Sequence, residues 1–136
     1  MLKKKNGFTL VELLAVIVIL AIILAIAIPA ITGLVANTRE SAFESNVKML
    51  IKGIDYKLLE QPGSVTTGNQ LASIADFGGD PAQYDYFYVE ELTPAIKISV
   101  RTTANSKFAG LCAVDSTFGT VTIHGANSTE CNNIDQ

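Results

Sequence analysis

The chain has 136 residues, of which 49% are hydrophobic, and it carries 10 basic and 13 acidic side chains for a net charge of -3. Lys3, Lys4 and Lys5 lie before Gly7, so the remaining residues hold seven basic against 13 acidic side chains, a net charge of -6. This acidity excludes the basic surface with which proteins bind nucleic acid, and the length predicts one small globular domain on a stalk.

The first element in chain order is an apolar run, Leu13 to Ile28, in which every side chain is Leu, Ile, Val or Ala. A helix of about 20 apolar residues spans the hydrocarbon core of a bilayer, so the run predicts a membrane-spanning helix. Glu12 stands at the start of this run. Because an acidic group inside hydrocarbon costs about 3 kcal/mol, Glu12 is a candidate functional residue that needs a partner.

Two interpretations of this region leave Glu12 without a role. One is a plain transmembrane anchor. The other is a secretory signal peptide, in which Lys3 to Lys5 form the basic part, Leu13 to Leu24 the apolar part, and Ala25-Ile26-Ala27 the cleavage site.

A third interpretation places the cleavage before the apolar run. Met1 to Gly7 form a short basic leader, the next residues are Phe8-Thr9-Leu10-Val11-Glu12, and Pro29 lies inside the apolar stretch that follows. Taken together over about the first 35 residues, these features resemble the N-terminus of the type IV pilin family. Beyond residue 35 the similarity is one of architecture.

The resemblance implies that a membrane-embedded prepilin peptidase cuts between Gly7 and Phe8 and that the new amino group of Phe8 is methylated. It also implies that the Glu12 carboxylate pairs with the Phe8 amine of its own or a neighbouring chain, which sets register more than stability. We therefore expect a leader peptide at 1–7, a transmembrane and filament-core helix at 8–35, and a globular head domain at 36–136.

Pro29 and Gly33 both weaken the predicted helix, since proline removes a hydrogen-bond donor and glycine has a low helix propensity. In a filament we expect a kink or partial melting between Ala25 and Gly33. An ordinary kinked membrane helix is the alternative.

The helix is predicted to continue as an amphipathic segment from Arg39 to Leu59 and to stop at Pro62-Gly63. Its apolar side chains recur at spacings of three and four: Phe43, Val47, Leu50, Ile51, Ile54 and Leu58. On a pilin, a helix of this kind packs against an antiparallel sheet.

Residues 61–82 are predicted to form a long connection with a helical turn at Leu71 to Phe77. Turns are expected at Asn105 and Gly119. Strand patterns then occur at Tyr84 to Val89, Ile96 to Thr102, Leu111 to Val114 and Thr120 to His124. The predicted fold is therefore α+β and pilin-like, with a long N-terminal helix on a small antiparallel sheet of three to four strands.

Cys112 and Cys131 are the two cysteines of the chain. They follow a membrane segment whose basic end marks the cytoplasmic side, so they should lie in a compartment where disulfides persist. We expect them to pair and to join the C-terminal tail to the sheet, which would stabilise the fold by about 3 kcal/mol. Two unpaired buried thiols are the alternative. In pilins, a loop closed by such a disulfide commonly adds contact surface.

Other candidate sites are weak. Asp76, Asp80 and Asp85 could approach a calcium ion but are typical of solvated turns. The aromatic side chains of Tyr84, Tyr86, Phe87 and Tyr88 could form a binding patch but fit strand packing. His124 is expected to be an exposed strand residue, and Asn127-Ser128-Thr129 matches a short glycosylation pattern. We predict no enzymatic activity, no cofactor and no metal.

The predicted function is that of a structural subunit of a type IV pilus, with adhesion, motility or DNA uptake as properties of the filament. The expected partners are other copies of the chain, the prepilin peptidase, the assembly machinery of the cytoplasmic membrane, and lipid before assembly. The chain would first cross the cytoplasmic membrane once, with its N-terminus in the cytoplasm, and later reach the cell surface. The alternatives are a pseudopilin of a type II secretion or competence system and a membrane-anchored extracellular binding domain.

Overall fold

The computed structural model describes residues 7–125 and 127–134. Most of the predicted leader, residues 1–6, therefore lies outside the described residues. The helices and strands are α1 (Leu10–Glu60), β1 (Gly68–Asn69), two 3-10 helices (Leu71–Phe77 and Pro81–Gln83), β2 (Tyr84–Glu91), β3 (Lys97–Thr102), β4 (Leu111–Ser116), β5 (Ile123–Gly125) and α2 (Thr129–Asn132).

The chain divides into two compact units between Asn37 and Thr38. In the first unit, α1 runs without a break through Pro29 and Gly33, and its large apolar side chains are exposed. Pro29 has no N–H to donate to the preceding turn, and the Thr32 hydroxyl donates to the Pro29 carbonyl at 3.0 Å. The prediction of a kink at Pro29 and Gly33 concerns the filament, and it stays a prediction.

The second unit has the predicted α+β architecture, with α1 packed on an antiparallel sheet. The helix buries five apolar side chains: Phe43, Val47, Leu50, Ile51 and Ile54. These five residues were all predicted from the three-and-four spacing of the amphipathic segment. The sheet contributes Phe87, Val89, Ile98, Val100 and Ala113 to the same core. The helix ends at Glu60, just before Pro62-Gly63.

The sheet has five strands in the order β1-β2-β3-β4-β5, and each strand pairs antiparallel with the next. The sheet therefore has one strand more than the three to four that were predicted. The additional strand is the short β1, which lies within the predicted connection. Gly68 and Asn69 pair with Val89 and Tyr88 through the backbone, so no alternation of apolar side chains marks them. The helical turn predicted at Leu71 to Phe77 is confirmed as a 3-10 helix.

Cys112 and Cys131 form the predicted disulfide, with their Cα atoms 5.7 Å apart. Ala113 of β4 faces the core shared with α1, so the neighbouring Cys112 faces the opposite side of the sheet. Cys131 belongs to α2, which Ser128 caps by accepting a hydrogen bond from the Cys131 N–H at 3.2 Å. The disulfide therefore holds the C-terminal segment against the outer face of the sheet.

Several side chains near this sheet have contacts that the sequence did not predict. His124 is partly buried rather than exposed, because it faces α2 and its Nδ1 lies 3.9 Å from the Glu130 carboxylate. Asp80 accepts a hydrogen bond from Ala82 N–H at 3.0 Å and caps the second 3-10 helix. Asp85 pairs with Arg101 at 2.9 Å. These two carboxylates therefore have structural contacts of their own.

Candidate functional site

The candidate site lies at the start of α1, around the Gly7–Phe8 peptide bond. The helix begins at Leu10, and Gly7 and Phe8 precede it outside regular structure. The Phe8 side chain is 93% exposed, and a Cβ placed on Gly7 would meet no atom within 4 Å. A peptidase could therefore reach this bond without first unfolding a packed element.

Two reciprocal hydrogen bonds join Thr9 and Glu12 at the helix start. The Glu12 carboxylate accepts from the Thr9 N–H at 2.8 Å, and the Thr9 hydroxyl accepts from the Glu12 N–H at 3.2 Å. This arrangement is a capping box, which supplies partners for backbone N–H groups that the first helical turn cannot satisfy itself. Glu12 therefore has a partner even in the uncut chain.

Thr9 is the residue at this site that the sequence-based interpretation missed. Its signal was present, because Thr9-Leu10-Val11-Glu12 matches the Ser/Thr-x-x-Glu pattern that precedes an apolar helix. Glu12 was interpreted only as a charge next to an apolar run. The capping box adds a second task for the same carboxylate, which is to fix where the helix begins.

The geometry of the capping box also places the carboxylate close to the predicted new amine. Cleavage after Gly7 would convert the Phe8 nitrogen, one residue before Thr9, into a free amino group. The Glu12 carboxylate already binds the N–H of Thr9, so the new amine would belong to the residue next to its present partner. The Thr9 N–H is an uncharged donor to this carboxylate, whereas a free amino group would bring a full positive charge to it.

The other predicted site residues belong to other parts of the chain. Pro29 and Gly33 are further along α1 in the first unit, whereas Cys112 and Cys131 belong to the second unit. The structure therefore brings together Phe8, Thr9 and Glu12.

Comparison with known families supports the importance of this terminus. A family model for the prokaryotic N-terminal methylation motif matches residues 2–28. The chain carries the prepilin signature of type IV pilins and pseudopilins. No curated protein and no solved structure matches the chain. The signature spans Gly7, Phe8, Glu12 and the apolar run to Ile28, and it is a structural motif rather than an enzymatic one.

Among the described residues, α1 is long and apolar enough to cross a membrane by length and composition. None of its most apolar 18-residue stretch is buried against the rest of the protein. A helix with this surface needs lipid or other helices around it, because burial of apolar side chains away from water is the main favourable term in folding and association. The prepilin signature and the apolar helix together fit a membrane-anchored pilin or pseudopilin.

Proposed function

We propose that the protein is a structural subunit of a type IV pilus. Prepilin peptidase cuts it between Gly7 and Phe8, the new amine of Phe8 is methylated, and the subunit assembles through α1 into a surface filament. The observation that carries this proposal is the prepilin signature at residues 2–28, a continuous motif within which Gly7, Phe8 and Glu12 lie.

The exposed apolar surface of α1 supports this proposal. Leu13, Val18, Ile22 and Ile23 are each at least half exposed, and they lie on several faces of the helix. In the membrane these side chains contact lipid, and in a filament they contact the helices of other copies. Both states bury the same surface, so the subunit can move from one to the other without exposing it to water.

After cleavage, Glu12 favours the filament over the membrane. A lone carboxylate is costly in hydrocarbon, and the amine of Phe8 provides a counter-charge after cleavage. A subunit in the growing filament offers this pairing to the next one, which stabilises the assembled state relative to the membrane state. Cleavage therefore precedes assembly in this proposal, and the filament performs adhesion, surface motility or DNA uptake.

The test is to shear surface fibres from cells that express the wild-type chain or Glu12→Ala. We expect abundant wild-type fibres that contain the protein, and at least a tenfold loss of fibres for Glu12→Ala with the protein still inserted in the membrane. Wild-type cells without sheared fibres but with a short envelope-spanning filament would indicate a pseudopilin instead. Absence of any assembly, with a Glu12→Ala protein that behaves like wild type, would indicate an anchored extracellular binding domain.

A further inference from the structure

Most basic side chains of the second unit pair with carboxylates, but two that do not are held next to each other. Seven basic residues follow Gly7 in the chain. Four of them form ion pairs with carboxylates: Lys48, Lys52, Lys97 and Arg101. The other three, Arg39, Lys57 and Lys107, form no ion pair with a carboxylate of the described residues. Their positive charges are therefore available to a partner.

Hydrogen bonds bring Arg39 of α1 to the segment between β3 and β4 that contains Lys107. The Arg39 Nε donates to the Lys107 carbonyl at 3.3 Å, and its Nη2 donates to the Ala109 carbonyl at 3.0 Å. Arg39 and Lys107 are both exposed. We call these two residues the basic pair. The two bonds use two of the five N–H donors of the guanidinium, so three donors remain for a partner.

The segment that carries Lys107 is fixed by further contacts. The Lys107 N–H donates to the Gln83 side-chain oxygen at 2.9 Å, and the Thr102 hydroxyl donates to the Phe108 carbonyl at 3.0 Å. The Phe108 ring packs against Phe43 of α1, with the ring centroids 5.5 Å apart. The backbone at the basic pair is therefore ordered before any partner binds, which lowers the entropic cost of binding.

The position of Arg39 in the sequence places the basic pair at the membrane surface. Arg39 is the first charged residue after Glu12. An α-helix rises 1.5 Å per residue, so the helix between these two charges is about 40 Å long. A bilayer with its headgroups is about 40–45 Å thick. With Glu12 at one boundary of the membrane, Arg39 reaches the headgroups of the other, and its bonds to the segment of Lys107 bring that residue to the same level.

We propose that the basic pair binds the phosphate of an anionic phospholipid in the leaflet on the side of the head. A guanidinium with unused N–H donors and a neighbouring ammonium are the groups with which proteins bind phosphate oxygens. Glu40 is the acidic residue nearest to Arg39 in sequence, and it points about 100° away around the helix. The pair therefore presents positive charge to the lipid although the chain as a whole is acidic.

This inference rests on the membrane-anchored state of the proposed function and goes beyond it. The matched motif ends at residue 28, whereas the basic pair lies in the second unit. The bound lipid would hold the head against the membrane surface, and this contact must break when the subunit leaves the membrane. The anionic lipid content would therefore influence how readily a subunit enters a filament.

The test measures how fast the amines of Lys107 and Lys57 are acetylated in the full chain, by mass spectrometry. The chain is placed in nanodiscs of phosphatidylcholine alone or with about 30 mol% phosphatidylglycerol. A basic side chain near an anionic membrane gains about fivefold in binding. We therefore expect phosphatidylglycerol to slow acetylation of Lys107 at least fivefold. Lys57 is the internal control, because it also forms no ion pair with a described carboxylate but lies further along α1, and its rate should change less than twofold.

Two further conditions identify the partner as the lipid and need no substitution. Inorganic phosphate added to the phosphatidylcholine nanodiscs should leave the Lys107 rate unchanged. Salt at about 1 M should remove the slowing by phosphatidylglycerol, because it screens exposed charges within about 3 Å. Equal Lys107 rates in both lipids, equal slowing at Lys57, equal slowing by free phosphate, or slowing that resists salt would each overturn the inference.

A variant tests the contribution of Arg39. Arg39→Gln should reduce the slowing at Lys107 to twofold or less, whereas Lys57→Gln, which removes a charge elsewhere on α1, should leave it at the wild-type value. Unchanged slowing in Arg39→Gln would contradict a shared site. If no fibres form in cells, the proposed pilus function fails separately, and the acetylation rates still decide whether the basic pair binds lipid.

Discussion

Glu12 has two separable tasks at the start of α1. Its oxygen accepts from the Thr9 N–H in the capping box, and in the proposed assembly its negative charge pairs with the Phe8 amine. Capping requires an acceptor oxygen, which Gln also provides, whereas charge pairing requires a carboxylate. Substitutions at positions 9 and 12 can therefore separate the two tasks.

We expect Glu12→Gln to keep the cap but to lower the yield of sheared fibres at least about tenfold, since a charged hydrogen bond contributes about 1.5–3 kcal/mol. Thr9→Val removes the capping hydroxyl and keeps the charge, which costs about 1 kcal/mol and should lower the yield by about fivefold at most. Immunoblots of sheared and membrane fractions measure the fibre yield of both variants. A wild-type fibre yield for Glu12→Gln would show that assembly does not require the negative charge of Glu12.

Tyr84 is a second residue with a specific expected effect, which is on the stability of the protein at high pH. Burial raises the pKa of Tyr84 to about 12, and the nearby Asp80 carboxylate adds to this shift. Below pH 10 the phenol is protonated in both the folded and the unfolded chain. Between pH 10 and about 12 the unfolded chain loses this proton first, so the free energy of unfolding falls as the pH rises.

From pH 9 to 12, the wild-type protein should therefore lose about 2 kcal/mol more unfolding free energy than Tyr84→Phe. Denaturant unfolding of the detergent-solubilised full chain, followed by circular dichroism, measures the difference. The Phe variant keeps the ring in the core and shares every other titrating group, so it is the matched control. Parallel pH profiles for the two proteins would contradict this prediction.

At the scale of elements, the two halves of α1 were predictable for different reasons. The apolar run is recognisable by composition, and the head segment by the spacing of Phe43, Val47 and Leu50. Strand β1 was not predictable, because Gly68 and Asn69 join the sheet through backbone hydrogen bonds to β2. The close approach of Phe77 to Gly53 was not predictable either, since the two residues are far apart in sequence.

Gly53→Ala tests this long-range contact. A Cβ at residue 53 would overlap the Phe77 carbonyl oxygen and lie 2.7 Å from the Phe77 Cα. Overpacking of this kind costs about 1–3 kcal/mol, so we expect Tm to fall by at least about 4 °C.

Gly33→Ala is the control for this prediction, because a Cβ there meets nothing within 4 Å on the same helix. Its higher helix propensity should leave Tm unchanged or raise it. Thermal unfolding of both variants by circular dichroism gives the comparison. Equal Tm values for the two variants would contradict the packing argument.

At the scale of the whole molecule, the sequence predicted the α+β class, the order of the main elements and the disulfide. It could not predict how Cys131 reaches β4, because α2 covers the sheet through contacts that only the folded chain brings together. At the N-terminus the sequence was more informative, since the proposed cleavage and methylation and the observed capping all depend on adjacent residues. The role of Thr9 was not predicted, although the Thr-x-x-Glu pattern that indicates it is present in the sequence.

We propose that the chain is processed between Gly7 and Phe8 before it assembles. The most direct measurement is mass spectrometry of the mature N-terminal peptide from the native membrane or fibre fraction. We expect a chain that begins at Phe8 and carries one methyl group on its amine. A chain that still begins at Met1 would contradict this processing in favour of a plain anchor, and a chain that begins at Ile28 would contradict it in favour of a signal peptide.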